Sequence, residues 1–143
     1  MDNDFKNKIT LYQRTVIFSV IFTLIGFSYN VWRMEASEQN NNIRTASFEM
    51  LLNLSSLEQL AYAAFYDGNT IEGNPRKGWV VVGLIADLSV LTNDSVELKA
   101  TKLNAVWANH WENINTNQKS VNIIVSAIDD VRGEIKYLLN SLE

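Results

Sequence analysis

The sequence predicts an all-α protein: a single N-terminal transmembrane helix followed by an up-down four-helix bundle. Three observations predict it. Residues 15–32 form an uncharged apolar block, and the later segments repeat apolar residues at steps of three and four. One proline and six glycines are few enough to favour long helices over many turns. With 47% hydrophobic and 20% charged residues, the 143-residue chain provides one folded domain and a short appendage.

The apolar block reads as a membrane-spanning helix from Thr15 to Trp32, bounded by Arg14 and Arg33. A helix that crosses about 30 Å of hydrocarbon needs roughly 20 apolar residues, and uncharged residues before Arg14 extend the block. Tyr29 and Trp32 lie near one end, where amphipathic rings prefer the headgroup region. The alternatives are a cleaved signal peptide, whose cleavage sequences are weak here, and a buried core helix, which would be apolar along one stripe only.

The distribution of Lys and Arg predicts the orientation of this helix. Lys6, Lys8 and Arg14 precede the span, whereas Arg33 and Arg44 follow it. The positive-inside rule therefore places the N-terminus in the cytoplasm and the later domain outside, with a bacterial inner membrane and the periplasm as the expected location. The predicted divisions are a cytoplasmic tail over 1–14, the transmembrane helix over 15–32, a polar stalk (helical or frayed) over 33–42, and an extracytoplasmic helical bundle over 43–143.

Four amphipathic helices are predicted after the stalk, and four such helices with short connections pack best as an up-down bundle. The expected bounds are Ile43–Tyr66, ended by Asp67-Gly68-Asn69; Asn74, as cap before Pro75, to Leu91; Ser95–Ile114; and Asn117–Leu142. The expected buried faces are Ile43, Ser47, Met50, Leu54, Leu57, Ala61 and Ala64 on the first; Val96, Ala100, Leu103, Trp107, His110 and Ile114 on the third; and Val121, Ile124, Ile128, Val131, Ile135, Leu138 and Leu142 on the fourth.

The second helix has no polar face over residues 79–86 and is interrupted by Asp87. A short helix that is apolar on nearly all sides is usually the most buried one, so we expect it in the interior. Asp87 then lies on its single exposed edge, or it is buried and paired with Lys99, Lys102 or Arg44, because an unpaired buried carboxylate is costly.

Composition excludes several functions. The net charge is −4 and no cluster of basic residues exists, so nucleic acid is not an expected partner. The chain has no cysteine and one histidine, which excludes zinc–thiolate, iron–sulfur and multi-histidine metal sites. Asp129 and Asp130 are adjacent on a helix, so their carboxylates diverge and form no acid–base pair. We predict no catalytic residue, no metal, no cofactor and no enzymatic activity.

A ligand site is a secondary possibility. Tryptophans around the one histidine resemble an aromatic pocket, with Met50 a conceivable second ligand to a haem iron beside His110. Two adjacent cations at a helix N-terminus suit an anion. The alternatives are ordinary core packing, a hydrogen-bonded histidine and a solvated connection. The candidate ligand-binding residues are Trp79, Trp107, His110, Trp111, Arg76 and Lys77.

These features predict a membrane-anchored, non-catalytic helical interaction module, an accessory subunit of an envelope protein complex. Its expected partners are membrane lipid and either another envelope protein or a second copy of itself. The alternative is an extracytoplasmic small-ligand-binding or sensory accessory protein that signals through a partner. In architecture alone, a span followed by an outer bundle resembles the sensory half of bacterial transmembrane receptors. No second span follows, so any output is expected to require a partner.

Overall fold

The computed structural model describes residues 2–142, with side chains from residue 9 onward, and this part of the chain is helical without any strand. The all-α prediction is confirmed. The chain divides into two compact units, Met1–Gln39 and Asn40–Glu143. The elements are helix α1 (Asp2–Phe65), helix α2 (Pro75–Ser89), helix α3 (Asp94–His110), a short 3₁₀ helix (Trp111–Asn113) and helix α4 (Gln118–Ser141).

Helix α1 contains the one segment, within the described residues, that is long and apolar enough to cross a membrane. None of its most apolar window is buried, and Phe18 and Phe22 are each 70% exposed. The hydroxyls of Ser19 and Thr23 donate to the carbonyl oxygens of Thr15 and Ser19, at 2.9 and 2.7 Å. Polar atoms satisfied within the helix, together with apolar side chains on every side, are what hydrocarbon requires of a helix.

The segment predicted as a stalk, residues 33–42, is helical and belongs to α1, which has no break there. Helix α1 ends at Phe65, within one residue of the predicted end. Gly68 adopts a left-handed φ of 59°, and the N–H of Asn69 donates to the carbonyl of Ala63 at 3.0 Å. This is the usual way for a glycine to end a helix, because it has no Cβ to oppose a positive φ.

An asparagine begins each of the three later helices. The side-chain oxygens of Asn74, Asn93 and Asn117 accept from backbone N–H groups two or three residues on, at 3.0, 2.9 and 2.9 Å. A cap of this kind stabilises a helix by about 1 kcal/mol. The predicted start at Asn74-Pro75 is confirmed. The third helix ends at His110 rather than at Ile114, because the chain tightens into the 3₁₀ helix.

The core lies in the second unit and is formed by the predicted apolar faces. All predicted positions on the first, third and fourth helices are buried except for Ile43, His110 and Leu142, which are half-buried. Helix α3 packs against both α2 and α4. The largest side chains of this core that are fully buried are Trp107, Met50, Leu54, Leu57, Ile85, Leu103, Ile114, Ile124, Ile128 and Ile135.

The expectation that the second helix is the most buried is wrong. Helix α2 buries only Gly78, Val82, Ile85 and Ser89. Its other side is exposed, with Val80 at 73%. The physical reason is that an apolar sequence favours burial of a helix but does not determine how many neighbouring helices pack against it. Here α2 buries one face, as an amphipathic helix would, and leaves large apolar side chains on the opposite face in water.

The buried face of α2 comes very close to α3 at Gly78. A Cβ built on this residue would overlap the six-membered ring of Trp107, which is itself completely buried. A rigid indole inside a packed core cannot move aside without disturbing its neighbours. Gly78 is therefore required by the position of Trp107.

We predict that Gly78→Ala destabilises the domain by about 1–3 kcal/mol, the usual cost of overpacking a core. Gly83→Ala is the matched control, since it lies in the same helix and a Cβ there would meet nothing within 4 Å. Replacing this helical glycine should stabilise by about 0.5–1 kcal/mol. Urea unfolding followed by circular dichroism measures both changes. Equal effects of the two substitutions would contradict the proposed contact.

Candidate functional site

The tryptophans predicted to bind a ligand occupy different environments. Trp107 is fully buried in the core, and its indole Nε1 has no hydrogen-bond partner among the described residues. Trp79 is 37% exposed and Trp111 is half-buried. The Trp79 and Trp111 rings meet edge to face, with centroids 6.2 Å apart. The structure thus brings Trp79 and Trp111 together at the surface and uses Trp107 as a core residue.

His110 lies at the end of α3 and faces α4. Its Nδ1 is 3.3 Å from the hydroxyl oxygen of Ser120, which is buried. This is the hydrogen-bonded histidine that the sequence offered as the alternative to a ligand. Ligand binding by His110 and the neighbouring tryptophans remains a prediction.

The two adjacent cations, Arg76 and Lys77, lie in the first turn of α2 and are solvent-exposed. Lys77 lines an open groove of about 380 Å³ together with Glu72, Leu60 and Val81. The carboxylate of Glu72 in the same groove weakens its attraction for an anion. In addition, the N–H of Arg76 already donates to the side chain of Asn74, so this donor of the helix N-terminus is occupied. Neither observation favours an anion at Arg76 and Lys77.

The strongest polar contact between distant segments joins α1 to α4. The guanidinium of Arg132 donates to Glu58 at 2.6 Å and also pairs with Asp129, one turn earlier. The Tyr62 hydroxyl donates to Glu58 at 3.2 Å. The bond to Glu58 raises the pKa of the Arg132 guanidinium, so this cation stays charged throughout the working pH range. Burial, followed by the bond to Glu58, raises the pKa of the Tyr62 phenol, which favours its neutral form.

Arg132 and Asp129 are three residues apart, a spacing that brings side chains together on one helix face. The contact of Arg132 with Glu58 has no such local signal, because 74 residues separate the two. Asp130 points to other partners, the ammonium groups of Lys99 and Lys102, at 3.5 and 3.6 Å. Asp129 and Asp130 therefore diverge, as expected. Ion pairs of these residues join α1 to α4 and α3 to α4.

Two exposed apolar faces remain in the second unit. The first, which we call the α2 face, consists of Val80 and Leu84 on α2 and Leu91 two residues after its end, at 73, 44 and 58% exposure, with the exposed Asp87 among them. Asp87 forms no ion pair within the described part of the chain, and it lies on an exposed edge as the sequence suggested. The second, which we call the α1 outer face, combines the apolar or aromatic residues Phe48, Leu52, Tyr62 and Tyr66 with the polar residues Thr45, Ser55 and Gln59, all exposed.

No protein family, curated protein or solved structure in the comparisons matches the chain.

We predict that Arg132→Gln lowers the free energy of unfolding by about 1–2 kcal/mol. This value lies between those for exposed and buried ion pairs, because the side chains of Arg132 and Glu58 are three-quarters buried. Lys136→Gln removes a fully solvated cation from the same helix and should change stability by less than about 0.5 kcal/mol. A double-mutant cycle with Glu58→Gln isolates the pair, and a coupling energy of zero would contradict its role in joining α1 to α4.

Proposed function

We propose that the protein is a membrane-anchored, non-catalytic helical interaction module, an accessory subunit of a cell-envelope protein complex. The observation that carries the proposal is the α2 face, an apolar helix surface left in water by the domain's own folding. Monomeric soluble proteins rarely leave contiguous apolar patches uncovered, and such patches mark sites of protein or lipid contact. The titratable groups that cluster in the described residues, around Arg132 and around Asp130, are paired with one another.

Residues 15–32 form the membrane anchor in this proposal, as a single-pass helix. Their length and composition suit a bilayer, and exposure of the apolar side chains on all sides suits lipid as solvent. The excess of Lys and Arg before the span supports a cytoplasmic N-terminus. The domain from residue 43 onward is then extracytoplasmic, facing the periplasm if the membrane is a bacterial inner membrane.

We further propose that the domain is an up-down four-helix bundle. Contacts between successive helices pair residues in opposite sequence directions, as antiparallel packing requires. Between α3 and α4, His110 meets Ser120 while Lys99 meets Asp130.

Contacts of the first helix support the same arrangement. Arg44 of α1 donates to the carbonyl of Leu142 at 3.1 Å, and Glu58 pairs with Arg132. A cation at the end of α4 also interacts favourably with the helix dipole. At the other end of α1, the backbone of Ala64 lies against Gly73, just before α2.

The α2 face is proposed to bind another envelope protein rather than a second copy of α2. Two α2 helices in contact would bring two Asp87 carboxylates into one apolar interface, where like charges repel and neither is solvated. A partner helix that places Lys or Arg opposite Asp87, between apolar side chains for Val80, Leu84 and Leu91, would satisfy both the charge and the apolar surface.

We predict that the full chain resists extraction by alkaline carbonate and that Leu24→Arg reduces the membrane-bound fraction. An Arg near the centre of a span costs about 2.5–3.5 kcal/mol on insertion scales. Leu98→Arg, on an exposed position of α3, is the control and should leave the bound fraction unchanged.

Single-cysteine variants of the full chain determine the orientation, because the parent chain has no cysteine that would react with a thiol label. A membrane-impermeant maleimide applied to intact cells should label Thr70→Cys in the loop after α1, and label Asn7→Cys only after lysis. Release of the parent chain by carbonate would contradict the anchor, and the reverse labelling pattern would contradict the orientation.

We predict that a photo-crosslinking amino acid at position 84 yields an adduct with another protein in intact cells. Asp87→Lys should abolish this adduct by placing a cation against the partner's cation, whereas Glu97→Lys, an exposed change of the same charge on α3, should not. Gel mobility and mass spectrometry of the adduct provide the measurement. An adduct composed of two copies of this chain, or one insensitive to Asp87→Lys, would contradict the assigned occupant of the α2 face.

A further inference from the structure

We propose that two copies of this chain pair side by side through the α1 outer face, with α1 against α1 in parallel. The inference deepens the proposed function and rests on it, because the common membrane anchor supplies the parallel direction. It concerns a different surface from the α2 face and names a different occupant.

The α1 outer face has the spacing of a coiled-coil seam. Its residues follow one another at alternating steps of three and four, which are the steps between the a and d positions of a heptad. Phe48, Leu52 and Tyr66 are 56, 64 and 58% exposed, and Tyr62 is 39% exposed. The rings of Tyr62 and Tyr66 lie 5.8 Å apart and extend the apolar surface at one end.

A second stripe with the same spacing lies on the opposite side of α1 and is buried in the domain's own core. Ser47, Met50, Leu54 and Leu57 belong to it, and each is completely buried. One helix thus carries two seams half a turn apart. The domain covers the inner seam, which leaves the outer seam available to a neighbour.

The composition of the outer seam favours a second copy as that neighbour. A parallel pair places each seam residue opposite the same residue of its partner, so any charge on the seam would meet a like charge. None of the seven seam residues is charged. The α2 face does not meet this requirement, because it contains the charged residue Asp87.

Charged residues beside the seam fit the same arrangement. In this register Arg44 occupies a g position and Glu49 the following e position, and such residues pair across parallel coiled coils. Their charges are opposite. Arg44 also donates to Leu142 through Nη2, but a guanidinium has five N–H groups and can serve both partners.

Ser55 and Gln59 in the middle of the seam make the pairing weaker than a seam of leucines would. Anchoring in a common membrane compensates, because it raises the effective concentration of the second copy and removes part of the orientational entropy of association. We therefore expect the dimer in membranes and in concentrated micelles.

Disulfide crosslinking of single-cysteine variants tests the pairing on the full chain in its membrane. Leu52→Cys should give a disulfide-linked dimer on mild oxidation, because identical seam residues face each other. Leu98→Cys is the matched control: it is also a leucine, is 70% exposed, and lies on α3 outside both apolar faces. It should remain monomeric under the same conditions.

A charge substitution provides a second readout. Phe48→Lys together with Leu52→Lys should halve the mass measured by sedimentation in micelles, from two chains to one, with unchanged helical circular dichroism and thermal unfolding. The inference is overturned if Leu52→Cys and Leu98→Cys crosslink equally, if the disulfide product contains another protein, or if the double substitution leaves the mass unchanged.

The outcomes separate this inference from the proposed function. Membrane-bound chains that form the adduct at position 84 but no dimer at position 52 contradict the pairing alone. Extraction of the chain from membranes by alkaline carbonate would contradict the proposed membrane anchor. If the extracted chains still crosslink at position 52, the anchor is contradicted while contact between two copies at the seam is supported.

Discussion

Water is a poor solvent for much of this chain's surface, and that constraint governs the rest of the structure. Folding removes the apolar faces of four helices from water but leaves three apolar surfaces outside: the segment from Thr15 to Trp32, the α2 face and the α1 outer face. Burial of such surface is worth about 25 cal/mol per Å², so each is a site where association is favourable. The three differ in shape and charge, and these differences determine what can cover each one.

Contacts of several kinds join the helices of the second unit, which carries the α2 face and the α1 outer face. Small side chains allow close approach where α1 meets the loop before α2, with the backbone of Ala64 against Gly73. Polar contacts also join α4 to α1, through Arg132 to Glu58 and through Arg44 to the carbonyl of Leu142, the residue that follows α4. The buried apolar stripe of α1 determines which of its sides faces the core, and these polar contacts lie at the edge of that side.

Local signals in the sequence predicted the helices and most of the core. The caps at Asn74, Asn93 and Asn117 and the stop at Gly68 depend on side chains within a few residues of the helix end, so they can be read from the sequence. The buried stripes follow from periodicity alone. The burial of α2 was misjudged because residues 79–86 are apolar on every side, and periodicity then gives no direction.

The polar contacts and exposed surfaces of the folded domain are harder to predict from the sequence than its helices. Contact between Glu58 and Arg132 depends on the packing of helices far apart in sequence, and no local pattern reports it. Periodicity alone does not single out the outer seam of α1, because the inner stripe is apolar at six of its seven predicted positions, whereas the outer seam includes Thr45, Ser55 and Gln59. Only the exposure of Phe48 and Leu52 in the folded domain separates the two seams.

Charge decides between self-association and association with a different protein. A symmetric parallel pairing repeats every residue opposite itself, so it tolerates Thr, Phe, Leu, Ser, Gln and Tyr but penalises an unpaired carboxylate. The α1 outer face meets this requirement over seven positions, whereas Asp87 prevents the α2 face from meeting it. A pair joined through α1 would also leave the α2 face of each copy open, because the two surfaces lie on different helices. One assembly can therefore use both, with two copies of this chain and a partner on each α2 helix.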